Sequence, residues 1–274
     1  MIQNILITGA SGFIGRQVLS ALKNHKHNIT LVLRPGSKNK IQDFNFITKI
    51  VETEDLFKES DEWWKKTCAN IDLIIHLAWY AEPGMYLNSD KNIDCLLGTL
   101  NLAKGAVNAG IKRFVGIGTC LEYDLSGEIL SVDTPLMPLT PYGANKTAVF
   151  LTLLQLFSQK KIEFAWCRLF YLYGENEDKR RLISYVRSSI ESGDNVELSN
   201  GNQVRDYMDV KDAGIRIAKV SIGNTQGPIN ICSGIPITVR DLVERVADEY
   251  GRRDLLKFGA RPNNPNEPQT IIGK

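Results

Sequence analysis

The sequence holds few of the residues on which much enzyme chemistry relies. Its 274 residues include three His and five Cys, and 33 Lys plus Arg nearly balance 31 Asp plus Glu. The Cys are odd in number and never two or three positions apart, which argues against disulfides or a metal knuckle and favours a reducing compartment. No two His have the spacing of a zinc site, so no metal is expected. His76 lies in an apolar run and is expected to be a buried strand residue. The near-neutral charge offers no basis for binding nucleic acid.

Long apolar runs are also missing. The longest nearly apolar run, residues 148–157, falls well short of the roughly 20 residues that span a membrane. The first residues lack the basic and apolar regions of a signal peptide. We therefore expect a cytoplasmic protein with no membrane partner. Its 43% hydrophobic and 23% charged residues are typical of a globular chain.

Short apolar runs alternate with longer amphipathic segments in the first part of the chain. This alternation predicts βαβ units and an α/β fold with a doubly wound parallel sheet. Beyond residues 1–170 the segments shorten, which predicts a smaller α/β part over residues 171–274, interleaved with the first. The predicted strands are residues 4–8, 28–33, 71–77, 112–117 and 163–169, with short extended segments at 196–198 and 228–231. The predicted helices are residues 13–24, 99–107, 141–158, 182–192, 210–220 and 239–250.

A glycine-rich segment, GASGFIG at residues 9–15, lies between the first predicted strand and the first predicted helix. Glycine there permits a positive φ, close approach of a pyrophosphate and tight packing of helix on strand, and the helix N-terminus offers N–H groups to phosphate. The spacing is GxxGxxG rather than the GxGxxG of the dehydrogenase fingerprint. Its position predicts a dinucleotide-binding turn in a Rossmann-type domain. The residues expected at the cofactor are Gly9, Ser11, Gly12, Phe13, Ile14 and Gly15.

The end of the second predicted strand bears on which dinucleotide is bound. An acid at this point would hold the ribose hydroxyls of NAD. Here the strand ends in Arg34, Ser37 and Lys38 follow, and no Asp or Glu occurs before Asp43. Arg34 can stack on adenine and pair with a 2′-phosphate, to which Ser37 can add a contact. The sequence therefore favours NADP(H) over NAD.

Two Tyr-x-x-x-Lys matches occur, and their surroundings separate them. When such a pair shares one helix face, the ammonium lowers the pKa of the phenol, which can then exchange a proton with a carbonyl. Tyr142 and Lys146 follow a Thr-Pro pair typical of a helix start. Thr119 ends the preceding strand, at the edge where ligands bind in α/β sheets. Tyr207 and Lys211 lie far downstream, and we interpret that match as chance.

Five motifs in this order resemble the extended short-chain dehydrogenase/reductase family, and within it the branch that acts on nucleotide-linked sugars. They are GASGFIG (9–15), HLAW (76–79), GTCLEY (118–123), PYGANK (141–146) and RDYMDV (205–210). The resemblance implies that residues 1–170 bind NADP and carry the catalytic residues, while residues 171–274 mainly bind substrate. It also implies a homodimer formed by helices around residues 92–109 and 141–158. Members usually continue with a further helix, so a chain ending at Lys274 is expected to have a trimmed substrate domain or to lack its natural C-terminus.

The resemblance also implies roles for individual residues. Thr119 would hydrogen-bond the substrate carbonyl, Tyr142 would be the acid/base, and Lys146 would hold the nicotinamide ribose and tune Tyr142. Arg205 would pair with the pyrophosphate of the substrate, because a planar guanidinium can donate two parallel hydrogen bonds to phosphate oxygens. Besides the residues above, Leu77 and Ala78 are expected at the cofactor. Those expected at the sugar nucleotide are Trp79, Thr119, Tyr142, Tyr171, Arg181 and Arg205, although many members have Asn in place of Tyr171.

The residues after Thr119 select among the reactions of the enzymes that the chain resembles. Sugar-nucleotide 4,6-dehydratases carry an acid directly after this Thr, where this chain has Cys120, so a dehydratase is disfavoured. Reductases of the GDP-fucose synthase type place an epimerising Cys two positions on, where this chain has Leu121. Glu122 is assigned no role. Because Arg34 favours NADPH, the expected function is reduction of the 4-keto group of a nucleotide-activated 4-keto-6-deoxyhexose, dTDP-, CDP- or GDP-linked, in deoxysugar and O-antigen biosynthesis.

Three alternatives stay open. An NAD-dependent nucleotide-sugar 4-epimerase would hand the same hydride back to the other face of the sugar. A small-carbonyl reductase of the same superfamily would share Thr119, Tyr142 and Lys146 but would not need Arg205. A catalytically idle, NADP-sensing Rossmann protein would be expected to lose the Tyr or the Lys, and both are present.

Overall fold

The computed structural model describes residues 3–41, 45–265 and 267–274. Within these ranges the strands are β1 (Asn4–Thr8), β2 (Asn28–Leu33), β3 (Ile47–Glu52), β4 (Leu73–His76), β5 (Arg113–Thr119), β6 (Ile129–Leu130), β7 (Glu163–Leu169), β8 (Tyr171–Tyr173), β9 (Val196–Leu198), β10 (Val204–Asp209), β11 (Gly227–Ile231), β12 (Pro236–Thr238), β13 (Leu256–Phe258) and β14 (Thr270–Gly273). The α-helices are α1 (Phe13–Leu22), α2 (Asp61–Thr67), α3 (Lys91–Ala109), α4 (Pro141–Lys160), α5 (Leu182–Ser192), α6 (Val210–Ile222) and α7 (Val239–Glu249). Across these ranges, none of the helices has both the length and the apolar character that crossing a membrane requires.

Seven strands form one parallel sheet in the order β11-β7-β5-β4-β1-β2-β3. Helices cover both faces, so the strands are apolar on both sides. In β1, Ile5 and Ile7 pack in the core formed with α1 and α6, while Leu6 packs in the core formed with α2, α3 and α4. The predicted α/β fold with a doubly wound parallel sheet is confirmed. The strand order also brings the carboxyl ends of β1, β4 and β5 side by side.

The local sequence fixes how α4 meets this edge. Its N-cap, Thr140, accepts a hydrogen bond at 3.2 Å from the Gly143 N–H, and Pro141 begins the first turn. Gly143 lies directly against the turn that follows β5, because a Cβ on it would lie 2.5 Å from the carbonyl oxygen of Leu121. The first turn of α4 therefore packs closely on the end of β5.

A second, smaller sheet comes mostly from the part of the chain after residue 170, while its edge strand β6 comes from the first part. Its order is β12-β10-β14-β6, with β8 beside β10, and β13 pairs separately with β9. Helices α5 and α7 pack together with β9 in a core of their own. In the other direction, β11 and α6 join the large sheet and its helical layer. The two parts of the chain thus exchange elements.

Three features of the first part differ from the predicted pattern. The edge strand β3 has only exposed and half-buried side chains, so it shows no apolar run, and α2 has only seven residues. Helix α3 begins at Lys91, well before the predicted start at residue 99. Its exposed Ile93 and Leu97 lie outside the buried face, which blurs the apolar stripe by which a helix is recognised.

Candidate active site

The three predicted catalytic residues meet at the carboxyl end of β5. Thr119 is the last residue of β5 and is buried, and its backbone N–H donates a hydrogen bond at 2.8 Å to Glu122 Oε1. Tyr142 lies in the first turn of α4, close enough to Thr119 for that side chain to affect the Tyr142 pKa. The packing of α4 on β5 therefore joins residues that lie 23 positions apart in the sequence.

Lys146 lies one turn further along α4 and is 4% exposed. Its Nζ donates a hydrogen bond at 2.6 Å to the carbonyl oxygen of Ile117 in β5, and lies 3.9 Å from the centroid of the Trp79 ring. Burial lowers the pKa of Lys146 to about 7, while the nearby Glu122 charge acts in the opposite direction. The Lys146 side chain can therefore change between its ammonium and neutral amine forms near neutral pH.

Aromatic rings cover Tyr142. The ring of Tyr86 meets it edge-on with centroids 4.8 Å apart, and the ring of Trp79 lies at 6.4 Å. Burial raises the pKa of Tyr142, and the Thr119 side chain partly offsets this. The spacing of Tyr142 and Lys146 predicts a pKa lowered by the ammonium, but burial dominates and raises it. The phenol therefore holds its proton at neutral pH and is set up as a proton donor.

Asn92 in α3 anchors the aromatic cover, a role that the sequence analysis missed. Its side chain is fully buried and accepts a hydrogen bond at 2.8 Å from Trp79 Nε1. It also donates to the carbonyl oxygens of Tyr86 at 2.6 Å and Ser89 at 2.8 Å. Nothing in the sequence around Tyr86 indicates that it would fold over Tyr142, because the two residues lie far apart in the chain and meet only through tertiary packing.

The glycine turn has the geometry of a pyrophosphate cradle. Gly9 has a φ of +74°, and a Cβ on it would lie 2.6 Å from the backbone nitrogen of Ala78. A Cβ on Gly15 would lie 2.1 Å from the carbonyl oxygen of Gly9, so this helix residue must also be glycine. At the N-cap, Gly12, no side chain caps α1, which leaves N–H groups of the first turn for a phosphate. The half-buried or exposed positions of this turn are Ser11, Gly12, Phe13 and Ile14.

Leu77 and Ala78 pass between this turn and the catalytic residues. The Leu77 N–H donates to the Thr8 carbonyl oxygen at 3.1 Å, so the segment continues from β4 along the end of β1. Trp79, which contacts Lys146, follows directly. Residues predicted to hold a dinucleotide therefore line a continuous path from Gly9 to Lys146, and the residues present fit such a cofactor.

The end of β2 carries a cation, and the neighbouring strand ends in an acid. Arg34 is exposed directly after β2, and Ser37 is buried in the following turn. The adjacent β3 places Glu52 opposite Leu33, and the Thr53 N–H donates to the Leu33 carbonyl oxygen at 3.0 Å. The absence of Asp and Glu before Asp43 favoured NADP(H), but the sheet brings in Glu52 from further along the chain. Asp43 lies outside the described residues.

Tyr171 and Arg205, both predicted to contact the sugar nucleotide, lie together. The Arg205 guanidinium carbon is 5.3 Å from the Tyr171 ring centroid, and Tyr171 packs with Cys120, directly after Thr119. The Arg205 side chain is only 1% exposed, and its Nη2 donates to Glu267 Oε1 at 2.6 Å. Its Nη1 also donates to the carbonyl oxygen of Gln269 at 3.1 Å. A carboxylate from the C-terminal segment thus holds the guanidinium that was predicted to bind pyrophosphate.

Arg181 is the member of the Lys179-Arg180-Arg181 run that lies near the site. Its guanidinium carbon is 5.8 Å from the centroid of the Tyr86 ring, which in turn covers Tyr142. Arg180 instead pairs with Asp178 and Glu82 at the surface.

Three other titratable side chains lie in settings of their own, namely His76, Cys120 and Tyr207. His76 lies buried in β4 between the hydroxyls of Thr8 at 2.7 Å and Thr99 at 3.0 Å, as predicted, and burial lowers its pKa to about 3. Burial raises the pKa of the Cys120 thiol to about 12, which is unsuited to a base. Tyr207 lies in β10 and its Lys211 match in α6, so this pair does not share one helix.

A cavity of about 730 Å³ lies elsewhere, between α1 and α6. Its lining includes Arg16, Phe46 and Lys219 but none of the residues that the sequence analysis assigned to a site. Within the described ranges, no three His, Cys, Asp or Glu side chains form a group that could hold a metal ion.

The chain is similar to known proteins both in sequence and in fold. The chain is 25% identical over 273 residues to dTDP-6-deoxy-L-talose 4-dehydrogenase (NAD(+)) from Aggregatibacter actinomycetemcomitans, covering 98% of this chain and 99% of that protein. In fold it is similar to UDP-N-acetylglucosamine 4-epimerase from Methanobrevibacter ruminantium M1, solved with UDP-N-acetylmuramic acid, with a TM-score of 0.85, 23% identity and coverage of 100% and 89%. The NAD complex of UDP-glucose 4-epimerase from Thermus thermophilus gives a TM-score of 0.84, 19% identity and coverage of 99% and 90%. The family model described as NAD dependent epimerase/dehydratase matches residues 5–228, and the chain belongs to that family of enzymes.

Proposed function

We propose that the protein catalyses NADPH-dependent reduction of the 4-keto group of a nucleotide-activated 4-keto-6-deoxyhexose, dTDP-, CDP- or GDP-linked, in deoxysugar and O-antigen biosynthesis. The observation that carries this proposal is the meeting of Thr119, Tyr142 and Lys146 at one sheet edge, beside the path from the glycine turn. Support for carbon 4 comes from the Aggregatibacter relative, whose name places a dehydrogenase activity at position 4 of a dTDP-linked 6-deoxy sugar. Such a dehydrogenation is a 4-keto reduction run backwards.

Tyr142, Thr119 and Lys146 have separate roles in this reduction. When bound, the reduced nicotinamide supplies the hydride that carbon 4 receives. Tyr142 is a neutral phenol at neutral pH and donates its proton to the alkoxide that forms, which is a stronger base than a phenolate and so takes the proton even though burial raises the pKa of Tyr142. Thr119 donates a hydrogen bond to the same oxygen as negative charge grows on it. Lys146 binds the ribose hydroxyls and, when protonated, stabilises the phenolate left on Tyr142.

The proposal is tested by following NADPH absorbance with dTDP-, CDP- and GDP-linked 4-keto-6-deoxyhexoses. We expect NADPH oxidation with one of them and formation of the matching 4-hydroxy sugar. A parallel assay follows the interconversion of UDP-glucose and UDP-galactose. If no keto sugar consumes NADPH while the UDP-sugars interconvert without added dinucleotide, the reductase proposal fails.

An NAD-dependent nucleotide-sugar 4-epimerase is the second candidate. Two similar structures are named as 4-epimerases, and the Aggregatibacter relative is named as an NAD(+) enzyme. An epimerase would use the same Thr119, Tyr142 and Lys146, because it runs an oxidation and a reduction at carbon 4 in turn. The two candidates differ in whether the oxidised dinucleotide leaves after each turnover, which the paired assays measure.

NADP(H) is proposed as the preferred cofactor because Arg34 is exposed directly after β2. We expect Arg34→Asp to shift the kcat/KM ratio of NADPH over NADH by about tenfold towards NADH, since an acid suits ribose hydroxyls and repels a 2′-phosphate. Lys40→Asp makes the same charge change in the same exposed segment and should leave the ratio unaltered. An unaltered ratio in Arg34→Asp as well would remove the main support for NADP(H).

Pairing of Arg205 with the pyrophosphate of the substrate is proposed to require displacement of Glu267, which now holds that guanidinium. We expect Glu267→Gln to lower KM for the nucleotide sugar by about threefold to tenfold with little change in kcat, because it removes a competing, partly exposed charge. Glu197→Gln, which loses a surface contact to Arg261 at 4.0 Å, serves as the control. A higher KM in Glu267→Gln would show that Glu267 supports substrate binding instead.

A cytoplasmic homodimer is proposed as the working form. Exposed Ile93 and Leu97 on α3, together with Leu151 on α4, offer apolar surface for pairing these helices. All five cysteines are unpaired, which suits a reducing compartment. We retain residues 1–170 as the proposed cofactor-binding and catalytic domain and residues 171–274 as mainly substrate-binding.

A further inference from the structure

A buried carboxylate lies directly behind the candidate catalytic residues. Glu122 is 0% exposed and closes the short 3₁₀ turn Cys120–Glu122 that follows β5. Its Oε1 accepts hydrogen bonds from the Thr119 N–H at 2.8 Å and from Trp166 Nε1 at 3.1 Å. Its Oε2 accepts from Arg168 Nε at 2.7 Å and from Trp166 Nε1 at 3.1 Å. The carboxylate therefore ties the end of β5 to the neighbouring strand β7.

Two glycines of β5 leave the room that this arrangement needs. A Cβ on Gly118 would lie 2.3 Å from Glu122 Oε1 and 2.2 Å from Trp166 Nε1. A Cβ on Gly116 would lie 2.4 Å from the Trp166 ring. Glycine weakens a strand interior, so its use twice in one strand indicates that the space is required. The local sequence is thus adapted to hold Glu122 at this position.

The ion pair with Arg168 is poorly suited to a purely stabilising role. Arg168 is 1% exposed and its guanidinium lies between the rings of Tyr123, at 4.7 Å, and Phe150, at 4.5 Å. Its Nη2 is buried and has no hydrogen-bond partner. Burying two charges costs desolvation that their attraction often fails to offset, so an apolar pair of similar size would serve a core as well. A reason beyond packing is needed for a charge here.

Several charged or titratable groups surround this carboxylate and Lys146. Burial raises the pKa of Glu122, whereas Arg168 lowers it and keeps a negative charge attainable. That charge favours the protonated form of Lys146 against the effect of burial. The two groups share a neighbour, Trp166, whose Nε1 donates to both oxygens of Glu122 and whose ring centroid lies 5.8 Å from Lys146 Nζ. The remaining titratable groups that face the pair are His76, Cys95, Cys120, Tyr123 and Tyr142.

We propose that Glu122 is a positioning residue, which holds Thr119 in place through its backbone N–H and keeps Lys146 protonated through its buried negative charge. The inference rests on the proposed function, in which Thr119 and Lys146 serve a carbonyl reduction. Glu122 itself touches neither substrate nor cofactor. Its effect should therefore appear in kcat and in the protonation of Lys146, and not in dinucleotide affinity.

The main test replaces the whole ion pair. The Glu122→Met/Arg168→Met variant removes both charges with little change in volume, so it should fold, with a Tm below that of the native protein because the Thr119 N–H and Trp166 Nε1 lose their acceptor. We expect its kcat to fall by about tenfold to a hundredfold, with NADPH affinity nearly unchanged because the glycine turn follows β1, two strands from β5. A folded double variant with native kcat would overturn the proposal. Should it fail to fold, the isosteric Glu122→Gln, which keeps an acceptor for Thr119, gives the same readout with a smaller loss.

A second readout needs no turnover. Nitrogen-15 NMR of labelled lysines, with Lys146→Met to assign the signal, reports the apparent pKa of Lys146 directly. We expect this pKa to fall by about one unit in Glu122→Gln, because a neighbouring opposite charge is lost. An unchanged value would overturn the electrostatic part of the proposal. If the native protein reduces no keto sugar, the proposed function fails, while this titration still decides the relation between Glu122 and Lys146.

The matched control lies at the other end of the same two strands. Arg113 and Glu163 face each other across β5 and β7, with Nη1 and Oε2 2.6 Å apart, and Arg113 is buried as Arg168 is. Glu163→Gln removes the carboxylate partner of a buried arginine far from Thr119. It should lower Tm while leaving kcat and the Lys146 pKa at native values. Equal losses in both variants would show that Glu122 acts only through general stability.

Discussion

A Tyr142→Phe variant is expected to reduce the keto sugar about a thousandfold more slowly than the native chain, with NADPH affinity almost unchanged. The variant keeps the ring that packs against Tyr86 and Trp79 and removes only the hydroxyl. Because the phenol is the proton donor in the proposed reaction, its loss leaves the alkoxide on carbon 4 to be protonated by water. Steady-state kinetics give kcat, and fluorescence titration gives the NADPH affinity.

Tyr207→Phe is the control for this prediction. It removes the hydroxyl of the other Tyr-x-x-x-Lys match, whose Tyr lies in β10 and whose Lys211 pairs with Glu175 at 3.4 Å. We expect turnover to stay within about threefold of native, as for a substitution that removes no proton donor. Retained turnover in Tyr142→Phe, or a thousandfold loss in Tyr207→Phe, would reassign the acid.

Lys146→Met is expected to abolish most turnover and at the same time to stabilise the fold. Lys146 is buried, and its pKa in the folded chain is about 7, below the unfolded value of about 10.4. Burial of this group therefore costs free energy, and an apolar side chain of similar length avoids that cost. At about pH 6 we expect the free energy of unfolding to rise by about 2 kcal/mol, after allowance for the lost hydrogen bond to Ile117.

The pH dependence of this effect has a definite sign. Between pH 7 and about 10.4 the unfolded chain binds more protons at this lysine than the folded chain does, so the cost of Lys146 shrinks as pH rises through that window. It is fully present below pH 7. The advantage of Lys146→Met should therefore be larger at about pH 6 than at about pH 9, as measured by chemical unfolding at both values.

Lys160→Met provides the comparison, since it removes an exposed lysine from the last turn of the same helix. We expect it to change stability by less than about 0.5 kcal/mol at either pH and to leave turnover intact. If Lys146→Met were destabilising at both pH values, its hydrogen bond and packing would outweigh the cost of the buried charge. In that case the buried Lys146 would not lower the stability of the fold, and the site would show no trade-off between stability and activity.

The candidate site shows why some of its residues could be recognised and others could not. Gly9, Gly12 and Gly15 stand in one short segment between a strand and a helix, so their conformational and steric demands are local. Tyr142 and Lys146 share one helix turn, so their spacing is also visible in the chain. Thr119 could be added because it ends a strand, and parallel strands end at a common edge.

Tyr86, Asn92 and Glu267 could not be recognised from the sequence. Each takes its place through a partner distant in sequence: Tyr86 through Tyr142, Asn92 through Trp79, and Glu267 through Arg205. The direction of the Tyr142 pKa was also misjudged, because the depth of burial beneath Tyr86 and Trp79 is not encoded in the spacing of a Tyr and a Lys.

The sequence by itself determined the α/β class, the glycine turn, the Tyr142–Lys146 pair and the scarcity of His and Cys that leaves acid/base work to that pair. These features depend on local periodicity, local turn chemistry and composition. Only the tertiary structure decided that Glu122 lies buried behind Thr119, that Arg205 is held by a carboxylate, and that β3 places Glu52 opposite Leu33, the residue before Arg34. The physical reason is that burial and charge proximity arise when distant segments pack, and they set protonation and access at the site.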